Sequence, residues 1–168
     1  MTYFAAALAK THAGWTGREL DLREVTDLES LAEELRDLVE ENGQAGGPAL
    51  MLLEEDDEYV GVVRVDGGAL DEPRVFLSDR RAVQASDVAA MLWEEGEPDD
   101  DEDEDDEDEG TRPVAEPVGD PGLLADLGTS SHVLLELCAE EGLLPADVLT
   151  GIAERAGFLE VLDSLRDG

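Results

Sequence analysis

PALMLLEEDDEYVGVVRVDGG, residues 48–68, holds two β-rich runs around a charged turn. Ala49–Leu53 and Tyr59–Val65 are apolar and of strand length, and Glu54–Glu58 joins them as the acidic tip of a hairpin. Asp66-Gly67-Gly68 supplies the next turn and Arg74–Leu77 the next strand. Upstream, Tyr3–Ala9 reads as a strand that turns at Thr11-His12-Ala13-Gly14, and Trp15–Leu22 alternates loosely as its return.

Between these hairpins lies the clearest helix in the chain. Leu28, Leu31, Ala32, Leu35, Leu38 and Val39 recur at three- and four-residue spacing and form one apolar face. Thr26-Asp27-Leu28-Glu29 fits a capping box at its start, and Gly43 is its expected stop. Ser86 is placed to cap a second helix through Trp93, with Val88, Met91 and Leu92 inward. The order is strand-strand-helix-strand-strand-strand-helix. Short connections favour antiparallel pairing, so residues 1–93 read as an α+β domain.

Past Trp93 the composition changes. Residues 1–93 carry a net charge of −12, residues 94–109 carry −14 and residues 110–168 carry −8, within a total of −34. Residues 94–118, acid with proline and glycine, can bury almost nothing and read as an acidic disordered linker. Residues 119–168 then read as a small all-helical region: Gly122–Leu127, Ser131–Glu141 stopped by Gly142, Pro145–Ala156 stopped by Gly157, and Phe158–Arg166. Leu134, Leu137, Cys138, Val148, Leu149, Ile152, Phe158, Val161 and Leu162 are its candidate core. Some fifty residues are marginal for an independent bundle, so packing against the first domain is expected.

Taken together, YFAAALAK (3–10), PALMLLEEDDEYVGVVRVDGG (48–68), PRVFLSDRRAV (73–83), the acidic spacer and PVGDPGLLADLG (117–128) resemble the actinobacterial family of tRNA adenosine deaminase-associated proteins. The resemblance runs nearly end to end and implies one partner, the deaminase that makes inosine at the tRNA wobble position. It brings no active-site residues with it.

The residues also exclude chemistries. A zinc deaminase needs H-x-E with P-C-x-x-C, for three metal ligands and a proton-shuttling glutamate. This chain has one cysteine, Cys138, and neither His12 nor His132 begins H-x-E. Phosphate-loop, dinucleotide and H-E-x-x-H motifs are missing, and the sole lysine, Lys10, follows no glycine-rich loop. Ser130-Ser131-His132 is an adjacency in sequence, and the serines read as helix caps. The spacing from Asp105 to Glu116 imitates a calcium loop, but glutamates at its third and fifth positions and Pro113 spoil it. Arg80-Arg81 read as locally paired charges and Cys138 as a buried structural thiol. Trp15 and Trp93 are candidates for either partner anchors or core. No enzymatic activity, cofactor or metal is expected. One cysteine permits no intrachain disulfide, and no run approaches the roughly 18 apolar residues of a membrane span, so a soluble cytoplasmic protein is expected.

The candidate partner-binding residues are the eleven consecutive carboxylates Asp99, Asp100, Asp101, Glu102, Asp103, Glu104, Asp105, Asp106, Glu107, Asp108 and Glu109. Direct contact with nucleic acid or an anionic membrane is disfavoured by repulsion. An extended chain spaces residues about 3.3–3.6 Å apart and a nucleic-acid strand spaces phosphates about 3.4 Å apart. The run thus has nearly the linear charge of a single strand over up to about 38 Å. Three uses fit it: a self-repelling spacer, a competitor for the basic tRNA-binding surface of the deaminase, or a general acidic mimic or chaperone for some other basic protein.

Overall fold

The structure, a computed structural model, describes residues 3–11, 14–25, 27–41, 48–55, 58–65, 73–80, 82–93, 117–139 and 144–167. Its strands are β1 (Tyr3–Thr11), β2 (Gly14–Glu19), β3 (Ala49–Glu55), β4 (Tyr59–Val65), β5 (Arg74–Leu77) and β6 (Val118–Gly119). They form one sheet in the order β2-β1-β3-β4-β5-β6, with every neighbouring pair antiparallel. The fold is α+β, as read from the sequence. In the 48–68 hairpin, Met51 faces Val63 and Glu55 faces Tyr59.

Helices cover both faces. On one face, α1 (Leu28–Glu41), the single turn α2 (Ala82–Ala85) and α3 (Asp87–Leu92) pack over Ala5, Ala7, Met51, Leu53, Val63 and Leu77. On the other, a 3-10 helix (Pro121–Leu127), α4 (Ser131–Ala139), α5 (Pro145–Ala156) and α6 (Leu159–Asp167) pack over Ala6, Leu8, Leu50, Leu52, Val62 and Phe76. Alternate residues of each strand serve alternate cores. The C-terminal helices therefore share a core with the sheet, and Leu134, Val148, Leu149, Ile152, Phe158 and Leu162 lie inside it.

Several boundaries differ from the sequence reading. The return strand ends at Glu19 instead of Leu22, because Asp21 accepts from the Arg23 N–H and caps a 3-10 turn at Leu22–Glu24. The α1 cap is Asp27, whose carboxylate accepts from the Ser30 N–H at 2.9 Å, while Thr26 lies outside the described residues. Helix α6 starts at Leu159, one residue later than read. Within the range read as linker, residues 94–116 lie outside the described residues, as do His12, Gly43, Asp66–Gly68 and Gly142. Val118, at the far end of that range, belongs to β6 instead, pairing with Leu77. Gly119 permits this through φ +98 and a close approach: a Cβ there would lie 2.1 Å from the Val75 carbonyl oxygen.

Candidate functional site

Asp99–Glu109 lie outside the described residues together with 94–98 and 110–116, and the nearest described residues are Trp93 before the run and Pro117 after it. Upstream, Trp93 closes α3, its N–H donating to the Ala89 carbonyl at 2.9 Å. Downstream, Pro117 leads into β6, which pairs with β5 through Gly119–Phe76 and Val118–Leu77. Trp93 and Val118 pack on the same core cluster, the one beneath α1. Chain departure and chain return are thus both anchored beside β5.

The return is held firmly. The Asp120 N–H donates to the Val75 carbonyl at 2.9 Å. Its Oδ1 accepts from Gly122 N and caps the 3-10 helix, and its Oδ2 faces Arg74 at 3.3 Å. The departure is held by a buried polar trio. Glu55 accepts from the Tyr59 hydroxyl at 2.8 Å and from the Ser86 hydroxyl at 2.5 Å. The Ser86 oxygen in turn accepts from the Val88 and Ala89 N–H groups and so fixes the start of α3. The sequence reads Glu55 as part of the acidic hairpin tip Glu54–Glu58. In the structure it is the last residue of β3 and is buried, because the turn comes later, with Glu58 N–H donating to the Glu55 carbonyl.

Between the start of α1 and the Trp93 end of α3 lies a cleft of about 620 Å³. Leu28, Pro73, Val75, Met91, Leu92 and Trp93 are its apolar lining residues, exposed Ala90 stands at its mouth, and exposed Asp27 and Glu29 form its lip, so the lining is mixed in polarity. The Ser30 N–H bond holds the Asp27 carboxyl below the usual carboxylate range. No basic side chain is among the described residues that line the cleft.

The other candidates resolve into structural parts. Trp15 stacks edge-on against Phe158 with ring centroids 4.9 Å apart and donates its Nε1–H to the Ala156 carbonyl, joining β2 to the C-terminal helices. Ser130 caps α4 by accepting from Val133 N. His132 is exposed and meets Glu136 at 3.0 Å one helical turn on. Arg80 is exposed, and Arg81 lies outside the described residues. Cys138 is half-buried instead of fully buried, packed at the margin of the C-terminal core, and this burial pushes its thiol up to about 12. Thiolate is the reactive form, so alkylation by iodoacetamide at pH 8 is expected to run on the order of 10²–10³-fold slower than for free cysteine until the fold is denatured. Rapid labelling of the native protein in a mass-spectrometric time course would contradict this.

Among the described residues, no group of three or more His, Cys, Asp or Glu is placed to hold a metal, and no helix is long and apolar enough to cross a membrane. No curated protein and no solved structure matches the chain. The family model described as Rv3753c-like tRNA adenosine deaminase-associated protein matches residues 3–159. That match begins with β1, takes in Trp93, β6 and the cleft, and ends at the first residue of α6. The chain therefore belongs to the Rv3753c-like family of tRNA adenosine deaminase-associated proteins.

Proposed function

We propose that this protein is a non-catalytic, cytoplasmic accessory protein that binds a tRNA adenosine deaminase and sets the Asp99–Glu109 run against its basic tRNA-binding surface. The family description names the association. The run is the feature of this chain with the charge to engage such a surface, since residues 94–109 carry −14 with no basic residue among them.

The observation that carries the reading is that the chain leaves the described fold at Trp93 and re-enters it at β6 on the same core cluster. A spacer keeps two bodies apart, whereas here the C-terminal helices pack on the same sheet as α1 and need no separation. Trp93 and Val118 pack on one core cluster, so both ends of the chain that carries the run are tethered to the same body. Tethering also reduces the freedom lost when it meets a complementary groove.

The test replaces the eleven carboxylates by Asn and Gln, beside a deletion of residues 98–110, and measures affinity for purified tRNA adenosine deaminase across a salt series. The parent protein is expected to bind with a steep inverse dependence on salt. Both variants should lose at least about tenfold in affinity near 50 mM salt and show a flatter slope. Unchanged affinity and slope would remove the run from the contact. Equal binding of unrelated basic proteins by the parent would replace a specific partnership with general masking.

A further inference from the structure

We propose that the cleft over β5 is the docking groove for a segment of the deaminase that inserts an aliphatic or aromatic side chain flanked by lysine or arginine. This inference rests on the accessory reading above and gives it a place of contact.

The lining selects the occupant. Apolar side chains and polar groups share its lining, and Trp93 and Met91 are both half-buried, each with surface left to give to a partner. Tryptophan is the residue most enriched at binding hot spots, and methionine adapts to what it meets. A cleft of about 620 Å³ is within the ~300–1,000 Å³ that takes a bulky group. The lip decides the charge: Asp27 and Glu29 are exposed carboxylates with no described basic lining residue to offset them. Phosphates and nucleic acid find no cationic side chain among the described lining residues and are repelled, while a flanking lysine or arginine is attracted. Sequence continuity reinforces this, because the chain runs from Trp93 directly into Glu94 and Glu95.

The experiment uses the full chain with the acidic run intact and purified tRNA adenosine deaminase as the probe. Ala90→Arg places bulk and positive charge at the mouth from an exposed helix position, and Glu29→Lys reverses one lip charge. Glu160→Lys, exposed on α6 against the opposite sheet face, makes the same charge change away from the cleft. Thermal melts verify that each variant folds. Ala90→Arg is expected to weaken binding at least about tenfold and Glu29→Lys about threefold, each flattening the salt dependence, while Glu160→Lys stays within about twofold of the parent. The groove is overturned if folded Ala90→Arg binds within about twofold of the parent, or if Glu160→Lys is as harmful as Glu29→Lys; the association itself then stands. If the parent protein fails to bind the deaminase at low salt, the accessory reading falls and takes this assignment with it.

Discussion

Replacing Phe158 by alanine is expected to destabilise the protein by about 3–5 kcal/mol, the usual cost of emptying a fully buried aromatic site. Phe158 has no exposed surface, lies in the core between the sheet and the C-terminal helices, and takes the edge-on contact with Trp15. It sits just after Gly157, whose φ of +98 reverses the chain between α5 and α6. Neither helix can easily move in to fill the space, because Trp15 and the Phe158 N–H both bond backbone carbonyls at the end of α5. Since domains of this size are stable by about 5–15 kcal/mol, the loss is a large fraction of the total. Urea titration should show a lower midpoint at constant slope. A change below about 1 kcal/mol would mean that the C-terminal helices do not depend on this packing.

Arg64→Ala should cost about 2–4 kcal/mol, from an unpaired buried acceptor and lost side-chain packing. Arg64 is only 6 % exposed and points from β4 toward the C-terminal layer. It donates to the Leu123 carbonyl at 2.7 Å and grips both oxygens of Asp126, at 2.5 and 3.0 Å. A forked guanidinium suits this double contact, so Arg64→Lys should recover only part of the loss. The pair also sets a pH dependence. The Arg64 hydrogen bonds hold the Asp126 carboxyl below its ordinary value. A lowered folded-state value means that this stabilisation is complete above the unfolded-state carboxylate range, near pH 4, and is lost as pH falls through the folded value. Between pH 5 and pH 3, Arg64→Ala should therefore lose stability less steeply than the parent. Parallel slopes in acid titrations of the unfolding midpoint would disprove the coupling.

The sheet and its helices were legible where one periodicity dominated. Leu31, Leu35 and Leu38 mark α1 through their spacing, and Gly157 marks the end of α5 through its backbone freedom. Covered faces left a fainter trace. ALMLL (49–53) and YVGVV (59–63) are apolar without alternation, the pattern of strands buried on both sides, and the structure buries both runs throughout. β6 gave no signal, since a two-residue strand has no period and rests on its pairing with β5. The acidic run was plain from composition, but the cleft was not. Its walls come from residues 27–29, 73–75 and 90–93, which only the tertiary fold brings together. Glu55 was hidden for a similar reason: amid five consecutive acids, nothing local distinguishes the one that meets Tyr59 and Ser86.

The layered core has a consequence for how the protein is made. When Trp93 leaves the ribosome, Ala6, Leu8, Leu50, Leu52, Val62 and Phe76 still lack the helices that cover them, all of which lie beyond Asp120. At translation speeds of ~5–20 residues per second, that greasy face waits roughly 4–15 s for its lid. The next polypeptide to emerge is Glu94–Glu109, a dense block of like charge. Neighbouring nascent chains carrying the same block repel one another during that interval. Whatever it does in the finished molecule, the block is made at the moment when half-built copies are most prone to stick together.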